Sequence, residues 1–96
     1  MLVKYSKTGG FTIGEDTPIV QMSDKNFVAL STIIYNNTTA TANIGLKIDS
    51  TQIAEFDIAS KDSIIFDAKF VIPKNSAFII NSNQVNVNVV VSGDES

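Results

Sequence analysis

The chain has no cysteine, no histidine, no arginine and no tryptophan. Without cysteine there is no disulfide framework and no thiolate metal site, a composition that suits assembly in a reducing cytoplasm. Without histidine the commonest general base and the commonest transition-metal ligand are missing together. All seven basic residues are lysine, so no guanidinium fork is available to grip phosphate or carboxylate. The net charge is −3 and the lysines do not cluster, which argues against nucleic acid as a partner. No apolar run approaches the length of a membrane span. The opening MLVKYSKTGG lacks the apolar core and cleavage site of a secretory signal. Neither nucleic acid nor membrane is therefore expected as a partner.

What is present leans towards β-structure. Isoleucine and valine dominate the apolar residues and leucine is scarce. Branched side chains lose χ1 freedom in a helix and pack well on a pleated surface. A chain of 96 residues makes one domain. At this size folding buries roughly 60–65% of the surface the unfolded chain exposes, enough for one sandwich-type core.

The clearest alternation lies late, in Gln84–Gly93, where Val85, Val87, Val89 and Val91 share one face and Asn86 and Asn88 the other. Earlier strands must close against it. Leu2, Val3 and Tyr5 form either an edge strand or an arm that orders on a partner, ahead of the Gly9-Gly10 joint. Phe11–Ile13 is a short β-type run, and Pro18 opens Ile19–Met22, as proline can at a strand start. Phe27–Tyr35 is the first long strand. Val28, Leu30, Thr32 and Ile34 fall on one face, with Phe27, Ala29, Ser31, Ile33 and Tyr35 on the other. Both faces are apolar, so it is central or covered on both sides. Thr41–Asp49 turns Ile44, Leu46 and Ile48 inward. In Thr51–Ala59 the inward set is Ala54, Phe56 and Ile58. Ser63–Pro73 carries Ile64, Phe66, Ala68, Phe70 and Ile72 on one face, and its length invites a bulge near Asp67–Ala68. Ala77–Asn81 is a short strand. About seven or eight strands at intervals of roughly ten residues predict an all-β fold, an antiparallel β-sandwich or jelly-roll-like arrangement. The expected organisation is an N-terminal arm or edge strands over 1–25, serving as a candidate attachment segment, a β-sandwich over 26–93 and a polar tail over 94–96.

Chemistry is thin. Ser60-Lys61 and Ser76 beside Lys74 are formal serine–lysine pairs, more simply read as turn residues. Glu55 and Asp57 share a strand face, but no tryptophan platform accompanies them to hold a sugar. Glu15-Asp16 and Asp94-Glu95 lack the spacing of a calcium loop. Asn36-Asn37-Thr38 and Asn37-Thr38-Thr39 match the glycosylation sequon, which matters only in a secreted eukaryotic protein. The expectation is no catalytic residue, no metal and no cofactor. What remains is neutral surface. Thr38, Thr39, Asn86 and Asn88 are candidate subunit contacts, because amides and hydroxyls can be covered without a large charge-desolvation cost.

The order of parts carries a resemblance. A strand ends in an Asn-Thr turn (IIYNNTTATANIGLKI), and a short strand with a polar turn follows (IAEFDIASKDSI). An apolar strand then runs into a proline-led turn (FVIPKNSAFII), and an alternating strand ends in Ser-Gly (VNVNVVVSG). Phe27 to Gly93, about two-thirds of the chain, resembles the small β-rich virion proteins of tailed bacteriophages. The resemblance implies a non-enzymatic structural protein, foremost a capsid decoration (head accessory) subunit. It would pack on capsid or other virion proteins as a homo-oligomer, a trimer among the options, in virions assembled in the bacterial cytoplasm. A tail, fibre or neck accessory is the alternative. So is a carbohydrate- or cell-surface-binding module, with Tyr35 and Tyr5 as ring platforms. The resemblance supplies no residue with a chemical role. Leu2, Val3, Tyr5 and Phe11, in the segment outside it, are the candidate particle contacts.

Overall fold

Alternating runs of branched side chains bounded by Asn, Asp, Ser and Gly turns become nine strands and no helix. The computed structural model describes all residues, Met1–Ser96. In chain order the strands are β1 (Leu2–Thr8), β2 (Asp16–Gln21), β3 (Phe27–Asn36), β4 (Ala42–Ile48), β5 (Thr51–Ile58), β6 (Ser63–Phe66), β7 (Phe70–Ile72), β8 (Ala77–Ser82) and β9 (Val87–Glu95). They form two antiparallel sheets. One runs β1-β9-β3-β6, with β7 also on β3, and the other runs β2-β8-β4-β5. This is the all-β sandwich that the strand cadence predicts.

The core lies between the sheets. Val87, Val89 and Val91 enter it from one side, and Ile44, Leu46, Phe78 and Ile80 from the other. Four phenylalanines join the layers, Phe56–Phe66 edge to face and Phe66–Phe70 and Phe70–Phe78 tilted, with centroids 5.4, 6.0 and 5.2 Å apart. Val85 lies outside the valine strand and is exposed, because the chain is still turning there. The long run expected over 63–73 breaks at Asp67–Lys69, so β6 and β7 sit one after the other on the same edge of β3.

Two corrections concern the C-terminal end and the central strand. Of the two forms expected for residues 1–25, arm or edge strands, the structure has edge strands, one in each sheet. β1 pairs with β9 over seven positions and β2 pairs with β8. The expected tail is also partly strand, since β9 runs on to pair Asp94 with Leu2 and Glu95 with Phe27. In β3 the register on β9 slips between Ala29 and Ser31. That bulge at Leu30 reverses the alternation. Phe27, Ala29, Thr32, Ile34 and Asn36 face the core, while Val28, Ser31, Ile33 and Tyr35 face outward.

One buried amide fixes the loops at one end of the sandwich. Asn36 is fully buried, and its Nδ2 donates to the carbonyls of Ala40, Ile58 and Ala59 at 2.7, 2.9 and 3.2 Å. Its Oδ1 accepts from the Thr38 amide and hydroxyl at 3.1 and 2.7 Å. One side chain thus ties the β3–β4 loop to the end of β5. At the other end, Gly93 lies against the Val28 carbonyl and the Phe27 ring, where an added Cβ would overlap both.

Candidate functional site

The bulge at Leu30 decides the chemistry of the outer surface. It sends Ile33 outward, between Val90 of β9 and Ile65 of β6 in register. On one side of this row, Asn88, Tyr35 and Ser63 are in register across the same three strands. On its other side lie Lys4, Ser92 and Ser31, then Leu2, Asp94, Val28 and Val71. Leu2, Lys4, Leu30 and Ser92 line a shallow depression of about 280 Å³ beside the bulge. Five of the nine large apolar side chains left exposed lie on this one face: Leu2, Leu30, Ile33, Ile65 and Val71. Ile65 is 66% exposed and Ile33 43%. Along the paired strands the face carries two charges, Lys4 and Asp94, and the Met1 ammonium neutralises Asp94 at 2.7 Å.

The outer face of the four-stranded sheet is the opposite. Asp16 accepts from Lys47 at 3.1 Å and from the Asn81 amide at 3.0 Å. The hydrogen bond from Asn81, and then Lys47, hold the Asp16 carboxyl below its ordinary value. Asn43 Nδ2 bridges Glu55 and Asp57 at 2.9 and 3.0 Å, beside a depression of about 220 Å³. Gln52 also donates to Glu55 at 3.3 Å. One outer face is thus acidic and bonded to itself, and the other is neutral, apolar and hydroxyl-bearing.

The residues singled out in the sequence scatter. Of the particle-contact candidates, Leu2 lies on the neutral face. Val3 and Tyr5 turn inward against the core, and Phe11 is a core residue at 2% exposure. Phe11 is thereby withdrawn from any surface. Tyr5 donates to Glu95 Oε2 at 2.7 Å and stacks edge-on to Phe27 at 5.4 Å. Among the subunit-contact candidates, the Thr38 hydroxyl is bonded to Asn36 and Ala40, and Thr39 is exposed. Asn86 is exposed and donates to the Asn37 carbonyl at 3.2 Å. Asn88 is half-buried on the neutral face, with Oδ1 unpartnered. Of the two formal serine–lysine pairs, Ser60-Lys61 is separated by its bonding. Ser60 Oγ donates to the Thr38 carbonyl at 2.6 Å, and Lys61 Nζ to Asn37 Oδ1 at 2.8 Å. Ile33 and Leu30 are what sequence reasoning missed. The signal for them was the apolar second face of Phe27–Tyr35, whose phase could not be read through the bulge.

A scan against protein-family models matches none, and no curated protein is similar enough in sequence to count as a relative.

Proposed function

We propose that the chain is a non-enzymatic bacteriophage virion protein, a capsid decoration subunit that works by packing on other protein. The observation that carries this reading is the neutral outer face of the β1-β9-β3-β6 sheet. Branched apolar side chains fill two of its rows, and its polar members are mostly hydroxyls and amides. Covering such a face releases water from apolar surface without desolvating many charges. Monomers rarely expose contiguous apolar patches beyond a few hundred Å², and larger ones mark interaction sites. The order of segments from Phe27 to Gly93, similar to that of small phage virion proteins, supplies the kind of assembly.

The test is add-back. Particles are made from a phage genome lacking this gene, then mixed with the purified chain and sedimented. Saturable binding to the particles is expected. A chain that stays in the supernatant at every concentration contradicts the proposal.

A further inference from the structure

We infer that the outer edge of β1 takes up an extended, acidic segment of another protein as an added strand. The assignment rests on the reading of the chain as a protein that works by packing on other protein, and it leaves the neutral face open.

Gly9 N donates to the Val87 carbonyl at 2.9 Å, and Glu95 N donates to the Met1 carbonyl at 2.9 Å. Between these two bonds the register, from Leu2–Asp94 to Thr8–Asn88, has no shift. Bonded positions alternate along an antiparallel pair. The odd-numbered residues of β1 are therefore bonded to β9, and Leu2, Lys4, Ser6 and Thr8 turn their N–H and C=O groups away from it. No other strand pairs with β1, and these residues are exposed.

The other three sheet edges are interrupted. β2 contains Pro18, which has no N–H, and shifts register between Pro18 and Val20. β6 and β7 are four and three residues long and are separated by Asp67–Lys69. β5 skips Ile53 in its register on β4. β1 offers seven residues in one unbroken ladder. Such an edge is a template for a further strand.

Charge selects the occupant. β1 carries Lys4 and Lys7 and no carboxylate. Asp94 and Glu95 are already answered by the Met1 ammonium and Lys25, and neither Lys4 nor Lys7 is in an ion pair. Lys7 Nζ lies 5.3 Å from the centre of the Phe11 ring. The edge is thus positive in a chain of net −3. Lysines on an edge discourage pairing with a basic strand, the β1 of a second copy included, and favour one that brings carboxylates. Lys4 stands on the outer face with Leu2, and Lys7 on the side of Val3 and Tyr5. Carboxylates three residues apart in the added strand fall on opposite faces and meet both.

The experiment is amide hydrogen exchange, read residue by residue by NMR, on the purified full chain. The probe is a capped peptide of three Thr-Val-Glu repeats, and circular dichroism confirms that each variant is folded. In the free chain the amides of Leu2, Lys4, Ser6 and Thr8 exchange fast and those of Val3, Tyr5 and Lys7 slowly. With the peptide at about ten times its dissociation constant, the fast set slows about tenfold. Ser6→Pro removes one outward N–H, keeps the bonds to β9 and abolishes the slowing. Lys4→Glu keeps the backbone donor and weakens peptide binding about fivefold, and it decides the matter if Ser6→Pro does not fold. Glu55→Lys, on the β5 edge, leaves binding unchanged. A fast set that about 1 mM peptide does not slow overturns the inference. So does slowing that Ser6→Pro and Lys4→Glu both leave intact, or equal slowing by a peptide with lysine in place of glutamate. Slowing that grows with the concentration of the chain alone shows β1 meeting a second copy, and it too overturns the inference. Particle add-back separates this contact from the structural role. If particles bind the chain but the peptide leaves the fast set unchanged, strand addition is wrong while the role stands. If the peptide acts as described but particles do not bind, the role fails and strand addition stands.

Discussion

Thr32 brings a hydroxyl into the core. It is fully buried on the inner face of β3, and its Oγ1 has no hydrogen-bond partner in the chain. A buried, unpaired hydroxyl costs about 1–3 kcal/mol. Thr32→Val keeps the shape and the β-branch, so we expect the urea midpoint to rise, equivalent to a gain of about 1 kcal/mol. Asn36 is the reverse case, because each of its polar atoms is used. Asn36→Asp replaces the amide that feeds three carbonyls with a buried carboxylate facing them. A loss of about 3–5 kcal/mol is expected in the same assay. Neither effect was legible beforehand. Thr32 sits in an apolar run on either phase, and nothing in NNTT tells which asparagine goes inside. The amide that ends β3 is buried because the chain turns over it, which is a tertiary fact.

Two residues set the expected pH dependence. The Asp16 carboxyl is held below its ordinary 3.8 by Asn81 and Lys47. Its contribution is therefore present above pH 3.8 and lost as pH falls through that value towards the folded one. The Tyr5 hydroxyl is raised above its ordinary 10.0, first by its hydrogen bond to Glu95, then by burial and the Glu95 charge. Its contribution is present below pH 10.0 and lost as pH rises past it. In urea midpoints measured against pH, Asp16→Asn flattens the acid limb and Tyr5→Phe flattens the alkaline limb. Identical slopes in wild type and variants would contradict these assignments.

At the scale of the element, β1 is the revealing strand. From sequence it could be an arm or an edge. Its alternation, with Val3 and Tyr5 on one side and Leu2, Lys4 and Ser6 on the other, fits both. The structure pairs it with β9 along its whole length, and the Met1 ammonium and Tyr5 hydroxyl clasp Asp94 and Glu95. Deleting residues 1–10 therefore removes a sheet edge and uncovers the inward valines of β9. For a domain whose whole stability is roughly 5–15 kcal/mol, that loss is large. We expect the truncated chain to lose its cooperative thermal transition, and a full-height transition at the wild-type temperature would contradict this. The strands themselves were readable, because period-2 patterning with polar turns is a local signal. The bulge at Leu30 was not, because one extra residue in a run that is apolar on both faces leaves no mark in composition. The break at Asp67–Lys69 was foreshadowed by the length of the run, which invited a bulge near Asp67–Ala68. It also blunts the β6–β7 edge against pairing with other chains.

For the whole molecule, the two outer faces divide the work. The acidic face satisfies itself through Asn43, Asn81, Gln52 and Lys47, and it turns net negative charge to solvent. The neutral face carries Ile33, Ile65 and Val71 exposed, a cost that packing on another protein, as proposed, would remove. The division appears only when strands distant in sequence are laid side by side. Ile33, Ile65 and Val90 become one row through pairings that no local window contains. The most direct measurement of the proposed role is the copy number of this chain per particle, by quantitative mass spectrometry of purified virions whose genome encodes it. A decoration subunit is expected at hundreds of copies, in proportion to the major capsid protein. Its absence from the virions would contradict the account.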